Sequence, residues 1–416
     1  MNRADWNSWN EVHAEPFPHY NHTMSILAFE KQPKPKRARV SALSPPHFRR
    51  ALAAWFRVNA RVLPWRGDEN PYHIWVSEIM LQQTRVAAVI EHYKAFLHRF
   101  PTLVSVALAP EQDVLAAWSG LGYYRRARML HKAAQFVVEE YGGAIPDNAA
   151  ELRKLPGVGD YTAAAIASIA FGESVPVLDG NVERVLLRVF GQPEDKSKTA
   201  RADLMVKAAA LITAKGCRQA PGDHNQAMME LGATVCLPRN PLCQKCPVRQ
   251  FCITQGEHLA PPRAKLRSQE VAYLLATRKV GTATEVLLCR RAQTASLMAG
   301  MWELPEACLE SVAGEPALLS LRHSITNTNY YVCVYSMRSH DGPGSPGLRS
   351  SESLHDGQNG KRSPGHLKGV WTRTSALNTL PLTGLARKVL QRLELMALPT
   401  PSLPAKELEM EAETVM

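Results

Sequence analysis

The sequence has no apolar run of the roughly 18 residues that a membrane-spanning helix requires, so we expect no membrane association. Its first residues lack a basic end followed by an apolar core, which argues against secretion. Acidic residues are in the minority, because 38 Asp and Glu oppose 49 Lys and Arg, giving a net charge of +11. This balance favours a polyanionic partner. We expect a cytoplasmic protein if the source is bacterial and a nuclear one if it is eukaryotic.

Cysteine is present, but in a reducing compartment the eight residues are expected to be thiols or metal ligands rather than disulfides. Four of them form a Cys-x6-Cys-x2-Cys-x5-Cys array. Its members are Cys236, Cys243, Cys246 and Cys252. Four neighbouring thiolates suit either one tetrahedral zinc ion or the irons of a cubane cluster, and spacing alone leaves both open.

Hydropathy divides the chain into parts of different character. Apolar residues recur every three or four positions through most of residues 47–257, including the stretch WVSEIMLQQTRVAAVIEHYKAFLHRF at 75–100, which predicts helices. Later segments such as EVAYLLATRK and NYYVCVYSM are typical of strands. The predicted parts are a basic arm (1–43), a helical domain (44–257), a linker (258–267), an α+β domain (268–397) with a disordered insertion (339–366), and an acidic tail (398–416).

The basic stretch KQPKPKRAR in the N-terminal arm has three interpretations. It is a solvated tail, a nonspecific phosphate-binding arm, or a nuclear signal. The sequence does not distinguish them.

A glycine-rich turn, LPGVG at 155–159, joins two helical stretches. Glycines let the backbone approach a phosphate closely, and the amides that open the next helix point at the anion. A simple helix connection without a ligand has the same pattern. Downstream, Val175–Leu178 must be extended before Asp179, which is either an N-cap or a functional carboxylate.

Glu78 is the one carboxylate in an otherwise apolar helical stretch. Trp75 precedes it and Ile79 follows it, so desolvation should favour the protonated form of the acid. A carboxyl group with a raised pKa suits a general acid. The alternative is a glutamate exposed at a helix edge, without a function.

Together, the stretches LPWR, WVSEIMLQQTRV, GLGYY, LPGVGDYTA and LDGNV resemble the helix-hairpin-helix DNA glycosylases and, within them, the MutY family of adenine DNA glycosylases. The cysteine spacing resembles the [4Fe-4S] loop of endonuclease III. The resemblance spans about residues 44–255 and implies an all-α glycosylase domain with an iron-sulfur cluster loop at 236–252. It implies a monomer that carries a [4Fe-4S] cluster and removes adenine opposite 8-oxoguanine or guanine from double-stranded DNA in base excision repair.

The resemblance also implies residue roles. Glu78 is the general acid on adenine, Asp179 stabilises the oxocarbenium ion, and Tyr161 and Asn181 assist around Asp179. Enzymes that also cut the backbone have a lysine where this chain has Tyr161, so a monofunctional enzyme using water is expected. The implied substrate- and DNA-binding residues are Arg66, Gln83, Thr84, Leu121, Tyr123, Gly157 and Gly159, with Gln83 as the intercalating wedge. Without the motif context, Gln83 would be explained as a solvated helix residue, and Leu121 and Tyr123 as packing residues.

The α+β domain resembles a Nudix-like domain, because LLCRRAQTASLMAGMWELPE contains its Gly-x-Trp-Glu-x-Pro element. The glutamate-rich helix that binds Mg²⁺ in Nudix hydrolases is missing, which disfavours hydrolysis of nucleotide diphosphates. Where MutY reads 8-oxoguanine with a Phe-Ser-His element, this chain has Ile325, Thr326 and Asn327. The hydroxyl is kept at Thr326, Asn327 keeps a hydrogen-bond donor, and His323 lies nearby. The departure concerns discrimination between 8-oxoguanine and guanine, not adenine excision.

Two alternative functions remain at this point. A bifunctional glycosylase and lyase would need an amine nucleophile, and a noncatalytic binder of mismatched DNA would have broken catalytic positions. Glu78 and Asp179 are both present. The sequence does not separate a structural from a charge-transfer role for the cluster.

Overall fold

The computed structural model describes residues 41–195, 197–213, 219–258, 266–295, 297–325, 327–337 and 369–397. The N-terminal arm up to residue 40, most of the linker, the predicted insertion and the acidic tail lie outside the described residues. Thr326 also lies outside them.

Helices form the first part of the chain, as the apolar spacing predicts. They are α1 Pro45–Asn59, α2 Pro71–Leu81, α3 Val86–Arg99, α4 Leu103–Leu108, α5 Glu111–Ala117, α6 Arg125–Tyr141, α7 Ala149–Leu152, α8 Asp160–Ala170, α9 Gly180–Val189, α10 Lys198–Ile212 and α11 Pro221–Thr234. Two 3-10 helices follow, at Cys243–Lys245 and Arg249–Phe251. Within the described ranges, no helix combines the length and apolarity needed to cross a membrane.

The prediction of one continuous helical stretch over 75–100 is wrong in one respect. Helix α2 ends at Leu81 and α3 begins at Val86, with Gln83 between them in the left-handed region at φ 56°. The intervening residues include neither glycine nor proline, so the sequence gives no local stop signal. The carbonyl groups at the end of α2 are instead bound by a side chain from α6, Arg126.

Two apolar cores hold the helices together. The first is built around Trp75, Phe96 and Trp118, and it contains most of the residues of α2 because that helix is buried on most sides. The second contains Phe48 and Leu186 and packs α1 against α9 and α11. Helix α2 therefore carries its polar residues into the protein interior, where Glu78 is only 6% exposed.

Strands form the second part of the chain, as alternation predicts, and one helix closes it. They are β1 Arg267–Leu275, β2 Thr277–Val280, β3 Ala283–Arg290, β4 Trp302–Glu303, β5 Glu306–Ala307, β6 Leu319–Ile325, β7 Thr328–Ser336 and β8 Gly369–Arg373, followed by α12 Gly384–Arg392. One sheet has the order β5-β1-β7-β6, with β1 and β7 parallel. In the other, β3 pairs antiparallel with β2, β4 and β8.

The β region packs directly on the helical region. The backbone carbonyl of Leu382 accepts hydrogen bonds from Ser119 Oγ at 3.2 Å and from the Tyr124 hydroxyl at 2.9 Å. Arg387 Nε donates to Ser119 Oγ at 3.0 Å, and Met301 is buried in the first helical core. The β region therefore holds the loop between α5 and α6 through Ser119 and Tyr124.

Candidate active site

A cavity of about 790 Å³ opens among α2, α8, α9 and α11. It brings together residues that lie far apart in the sequence. The predicted residues that line it are Arg66, Glu78, Gln83, Thr84, Gly157, Gly159, Tyr161, Asp179 and Asn181.

Glu78 points into this cavity from α2. Tyr161, on the first turn of α8, donates its hydroxyl proton to Glu78 Oε2 at 2.5 Å, and the hydroxyl oxygen also lies 3.3 Å from Met229 Sδ. Burial raises the pKa of Glu78 to about 7, and the negative charge of Asp179 acts in the same direction, whereas the Tyr161 hydrogen bond lowers it. At neutral pH a large fraction of Glu78 is therefore protonated.

Asp179 caps helix α9, so the N-cap interpretation is correct as a statement of structure. Its Oδ1 accepts from the backbone amides of Asn181 at 3.0 Å and Val182 at 2.7 Å. Asn181 Nδ2 donates to Oδ2 at 3.0 Å. These donors fix the carboxylate at the rim of the cavity, half-buried, within electrostatic reach of Glu78 and Tyr161. Capping and catalysis are thus compatible at this residue.

Asn181 is itself held in place by two contacts that the sequence did not reveal. Arg184 Nη2 donates to its Oδ1 at 2.9 Å. Gly232 on α11 lies so close that a Cβ there would be 2.6 Å from the Asn181 Cβ and 2.9 Å from its carbonyl oxygen. Any side chain at position 232 would push α9 away from α11 and move the Asp179 cap with it.

Arg66 lines the cavity through a buried ion-pair network that sequence reasoning missed. Its Nη2 lies 3.1 Å from Glu230 Oε2, and Arg61 Nε lies 2.7 Å from Glu230 Oε1. Burial alone would raise the pKa of Glu230, but the hydrogen bonds and charges of Arg61 and Arg66 outweigh burial and lower it. Glu230 could have been found by the pattern that identified Glu78, because it is the single carboxylate in the apolar stretch AMMELGATVC.

The predicted hairpin forms a tight turn at the cavity rim. Gly157 has φ 76°, and a Cβ there would lie 2.5 Å from the Cβ of Met129, so only glycine fits. Gly159 precedes α8 as its N-cap residue, and the helix begins at Asp160. Asp160, Tyr161 and Thr162, which open α8, line the same cavity as Asp179, and the first amides of a helix have no partner within the helix.

The remaining predicted residues lie at or near a second cavity of about 1160 Å³ between the helical and β regions. Leu121 and Tyr123 line it from the α5–α6 loop, and His323 and Ile325 line it from β6. Leu121 is only 6% exposed and packs into the first core, whereas Tyr123 is 48% exposed. Asn327 is exposed at the β6–β7 turn and is not among the described residues that line this cavity.

The four predicted ligand cysteines lie at the end of the helical region. In the described ranges, no three His, Cys, Asp or Glu side chains converge tightly enough to hold a single metal ion. The thiols of Cys236, Cys243, Cys246 and Cys252 nevertheless interact electrostatically with one another, so they lie near one another. Four neighbouring thiolates are the usual ligands of an iron-sulfur cluster.

The cluster loop is tied to α9 by two arginines. Arg188 Nη1 donates to Cys236 Sγ at 3.3 Å and to the Leu237 carbonyl at 2.7 Å. Arg184 Nε donates to the Cys236 carbonyl at 2.8 Å. Hydrogen bonds to sulfur and to the loop backbone hold the thiols in their places around the cluster.

The helical region and the cysteine loop each match a known protein family. Residues 76–209 match the family described as HhH-GPD superfamily base excision DNA repair protein. Residues 236–252 match the iron-sulfur binding domain of endonuclease III. The predictions of a helix-hairpin-helix fold and of an iron-sulfur cluster are thereby confirmed.

Several curated proteins are similar to the chain. The adenine DNA glycosylase of Homo sapiens is 48% identical over 214 residues, which cover 49% of this chain and 39% of that protein. That of Arabidopsis thaliana is 36% identical over 310 residues, covering 64% of this chain and 48% of that protein. That of Buchnera aphidicola subsp. Schizaphis graminum is 38% identical over 211 residues, covering 50% of this chain and 60% of that protein. The chain thus matches between about two fifths and three fifths of the length of these relatives.

Proposed function

We propose, from the match of residues 76–209 to the HhH-GPD superfamily of base excision DNA repair proteins, that the chain is a monofunctional adenine DNA glycosylase. The proposed substrate is adenine mispaired with 8-oxoguanine or guanine in double-stranded DNA. The protein would act as a monomer, in the cytoplasm of a bacterium or the nucleus of a eukaryote. One observation carries the proposal: a buried Glu78 with a raised pKa, hydrogen-bonded by Tyr161, and a fixed Asp179 line one cavity.

Glu78 supplies the proton. The adenine must first rotate out of the duplex into the cavity, as enzymes that act on a base require. Glu78 then donates its proton to adenine N7, and the N-glycosidic bond breaks with its electron pair leaving on the base. A carboxyl group with a pKa of about 7 is matched to this task near neutral pH, since it both holds and releases a proton there.

Asp179 stabilises the charge that the leaving base uncovers. Bond breaking places positive charge on the deoxyribose, and a carboxylate held by Asn181 and two backbone amides already points at the cavity. Because these donors are in place before the reaction, no reorganisation is needed as the charge develops. Water then attacks the sugar, and its proton passes to one of the two carboxylates.

The cavity favours water over a covalent amine as the final nucleophile. Among the described residues that line it there is no lysine, and Tyr161 occupies the position at which lyases have one. The cavity therefore offers no Schiff-base nucleophile, which counts against the bifunctional alternative. The presence of both carboxylates counts against a noncatalytic mismatch binder.

Arg66 and Glu230 form the wall against which the base would lie. Glu230 is 1% exposed and holds Arg66 by a charged hydrogen bond, so the guanidinium is pre-oriented at the cavity surface. We assign Arg66 to holding the extruded adenine and Glu230 to orienting Arg66. The α8 amides and the hairpin would bind the DNA backbone, which makes affinity salt-dependent.

The β region is proposed to be a degenerate Nudix-like domain that contacts the opposite strand. His323 lines the second cavity with Leu121 and Tyr123, and burial together with the charge of Lys388 lowers the pKa of His323. A neutral imidazole there can both donate and accept a hydrogen bond to an opposing base. The [4Fe-4S] cluster, held by the four cysteines, would order the loop that follows α11.

Single-turnover release of adenine tests the proposal. Two duplexes, with adenine opposite 8-oxoguanine and opposite guanine, are compared for the wild-type protein and for the Glu78→Gln and Asp179→Asn variants. We expect release from both duplexes by the wild type, strong loss in both variants, and no adduct trapped by borohydride. Absence of wild-type release would overturn the proposal, a trapped adduct would establish the lyase alternative, and full activity of the variants would overturn the residue roles.

A further inference from the structure

Two of the residues assigned to DNA contact have a backbone conformation that non-glycine residues rarely adopt. Gln83 has φ 56° and Tyr123 has φ 49°. Both side chains are exposed, at the tips of the α2–α3 turn and the α5–α6 loop. A left-handed backbone is strained at a residue that carries a side chain, so the surrounding structure must hold it there.

One side chain, Arg126 on the first turn of α6, holds the α2–α3 turn. Its Nη1 donates to the carbonyl oxygens of Ile79 at 2.8 Å and Met80 at 2.9 Å, and also to that of Gln82. These are acceptors at the end of α2 that would otherwise lack a helical partner. A cation at this end also favours the helix dipole. Arg126 thereby ends α2 immediately before Gln83.

The other terminal nitrogen of Arg126 holds the α5–α6 loop. Nη2 donates to the Gly122 carbonyl at 3.2 Å and, more weakly, to that of Leu121 at 3.4 Å, and it reaches back to Thr84 Oγ1 at 3.1 Å. The guanidinium carbon lies 5.4 Å from the centre of the Tyr123 ring and 5.6 Å from that of Trp118. One group thus contacts both loops and the face of an assigned DNA-contacting aromatic ring.

We propose that Arg126 is a positioning residue that fixes the distance between Gln83 and Tyr123, so that Gln83 enters the base stack while Tyr123 contacts the base opposite adenine when adenine is extruded. The inference rests on the proposed function, because the wedge role of Gln83 and the contact of Tyr123 with the opposite base are those implied for an adenine DNA glycosylase. Lysine cannot replace arginine here, since a single ammonium lacks the planar fork that spans acceptors on both loops. Arg126 touches neither the base nor the carboxylates, so its effect is on extrusion and not on the chemical step.

The test compares Arg126→Lys and Arg126→Met with the wild type and with Tyr72→Phe. Tyr72 donates a buried hydrogen bond to the Phe100 carbonyl at 2.7 Å and contacts neither loop, so its variant controls for loss of stability. Adenine release is measured in single turnover from a duplex with adenine opposite 8-oxoguanine and from one with adenine opposite a tetrahydrofuran abasic analogue. The second duplex leaves adenine unpaired, which reduces the work of extrusion.

We expect both Arg126 variants to slow release from the paired duplex by about 10–100-fold, because a displaced contact residue misplaces the substrate. Release from the unpaired duplex should fall by less than about threefold, because extrusion there needs less help. Tyr72→Phe should keep the wild-type ratio between the two duplexes. If the rate of adenine release fell equally on both duplexes, Arg126 would have only a structural role. If Arg126→Lys released adenine at the wild-type rate, the proposed positioning role would be wrong.

A second readout separates this inference from the proposed function. With 2-aminopurine in place of the target adenine, extrusion raises fluorescence on binding, and rapid mixing records this rise before the base is excised. We expect the wild type and Tyr72→Phe to give this increase, and the Arg126 variants to bind the duplex without it. If the wild type releases no adenine, the proposed function fails, whereas the fluorescence still decides the role of Arg126. An unchanged increase in the variants would overturn that role.

Discussion

The helical and β regions each bury a glutamate, and the two carboxyl groups have different neighbours. Glu78 is 6% exposed, and a neutral tyrosine hydroxyl donates to it, which leaves its burial largely uncompensated. Glu303 is 8% exposed, and it pairs with Arg291 while accepting from the hydroxyls of Tyr273 at 3.2 Å and Thr383 at 3.3 Å. A buried acid without a cation can hold and release a proton, whereas breaking the pair of a buried acid with a guanidinium leaves an uncompensated charge in the interior.

The largest expected effect is a difference in the rate of adenine release between the Glu78→Gln and Glu303→Gln variants. Glu78→Gln should slow adenine release by about 10²–10⁴-fold, because an amide cannot transfer a proton to the base. Glu303→Gln should leave the rate near the wild-type value, since Glu303 is not among the residues that line the catalytic cavity. Single-turnover rates below the melting temperature of both variants measure the contrast. Similar losses in the two variants would contradict the separation of roles.

The free energy of unfolding should show the reverse order, with the larger loss in Glu303→Gln. Glu303→Gln leaves Arg291 buried without its partner and should lower the free energy of unfolding by about 3–5 kcal/mol, as breaking a buried ion pair does. Denaturant unfolding measures this loss. Adding Arg291→Met to the Glu303→Gln variant removes the unpaired charge. This double variant should regain a substantial part of the free energy of unfolding that Glu303→Gln loses. A single variant as stable as the wild type would show that the pair contributes nothing.

The pH dependence of adenine release tests how Tyr161 affects the pKa of Glu78. The rate should fall as the pH rises through about 7, where Glu78 loses its proton. The Tyr161 hydrogen bond lowers the pKa of Glu78, so Tyr161→Phe should move this fall to higher pH, whatever its effect on the maximal rate. Rate profiles between pH 5 and 9 give the midpoint. A midpoint that moves to lower pH would contradict the role of the hydroxyl.

Glu78 should also affect stability as a function of pH. Its pKa in the folded state lies above the unfolded value of about 4.3, so folding favours the protonated acid. Its contribution is fully present below the unfolded value and is lost as the pH rises through about 7. Glu78→Gln should therefore gain stability relative to the wild type between pH 5 and pH 8, seen as a growing difference in Tm. A constant difference would mean that Glu78 does not titrate in this range.

The smallest effects are expected in the β region at the second cavity. Asn327→Ala should change the ratio of release opposite 8-oxoguanine to release opposite guanine by less than about threefold, because replacing an exposed side chain changes free energies by about 0.5 kcal/mol or less. His323→Ala should change the ratio more, because His323 lines the cavity. The reverse order would identify Asn327 as the reader of the opposite base.

The sequence predicted what depends on local pattern and short motifs. The helices and strands, the extended approach to Asp179 and the buried setting of Glu78 follow from apolar spacing and turn residues. The break after Leu81 could not be predicted, since its cause is Arg126, 45 positions further along the chain. Gly232 was missed for the same reason, because the need for glycine comes from Asn181 on another helix.

The contact at Leu382 has a consequence for how the β region can change during evolution. The group that holds Ser119 and Tyr124 is a main-chain carbonyl, while the Leu382 side chain is fully buried in the core of the β region. Selection on the hydrogen bonds therefore acts on the path and length of the backbone, and selection on core packing keeps an apolar side chain at the same position. Among descendants of this chain, insertions and deletions next to Leu382 should be removed, and substitutions at this position should stay apolar.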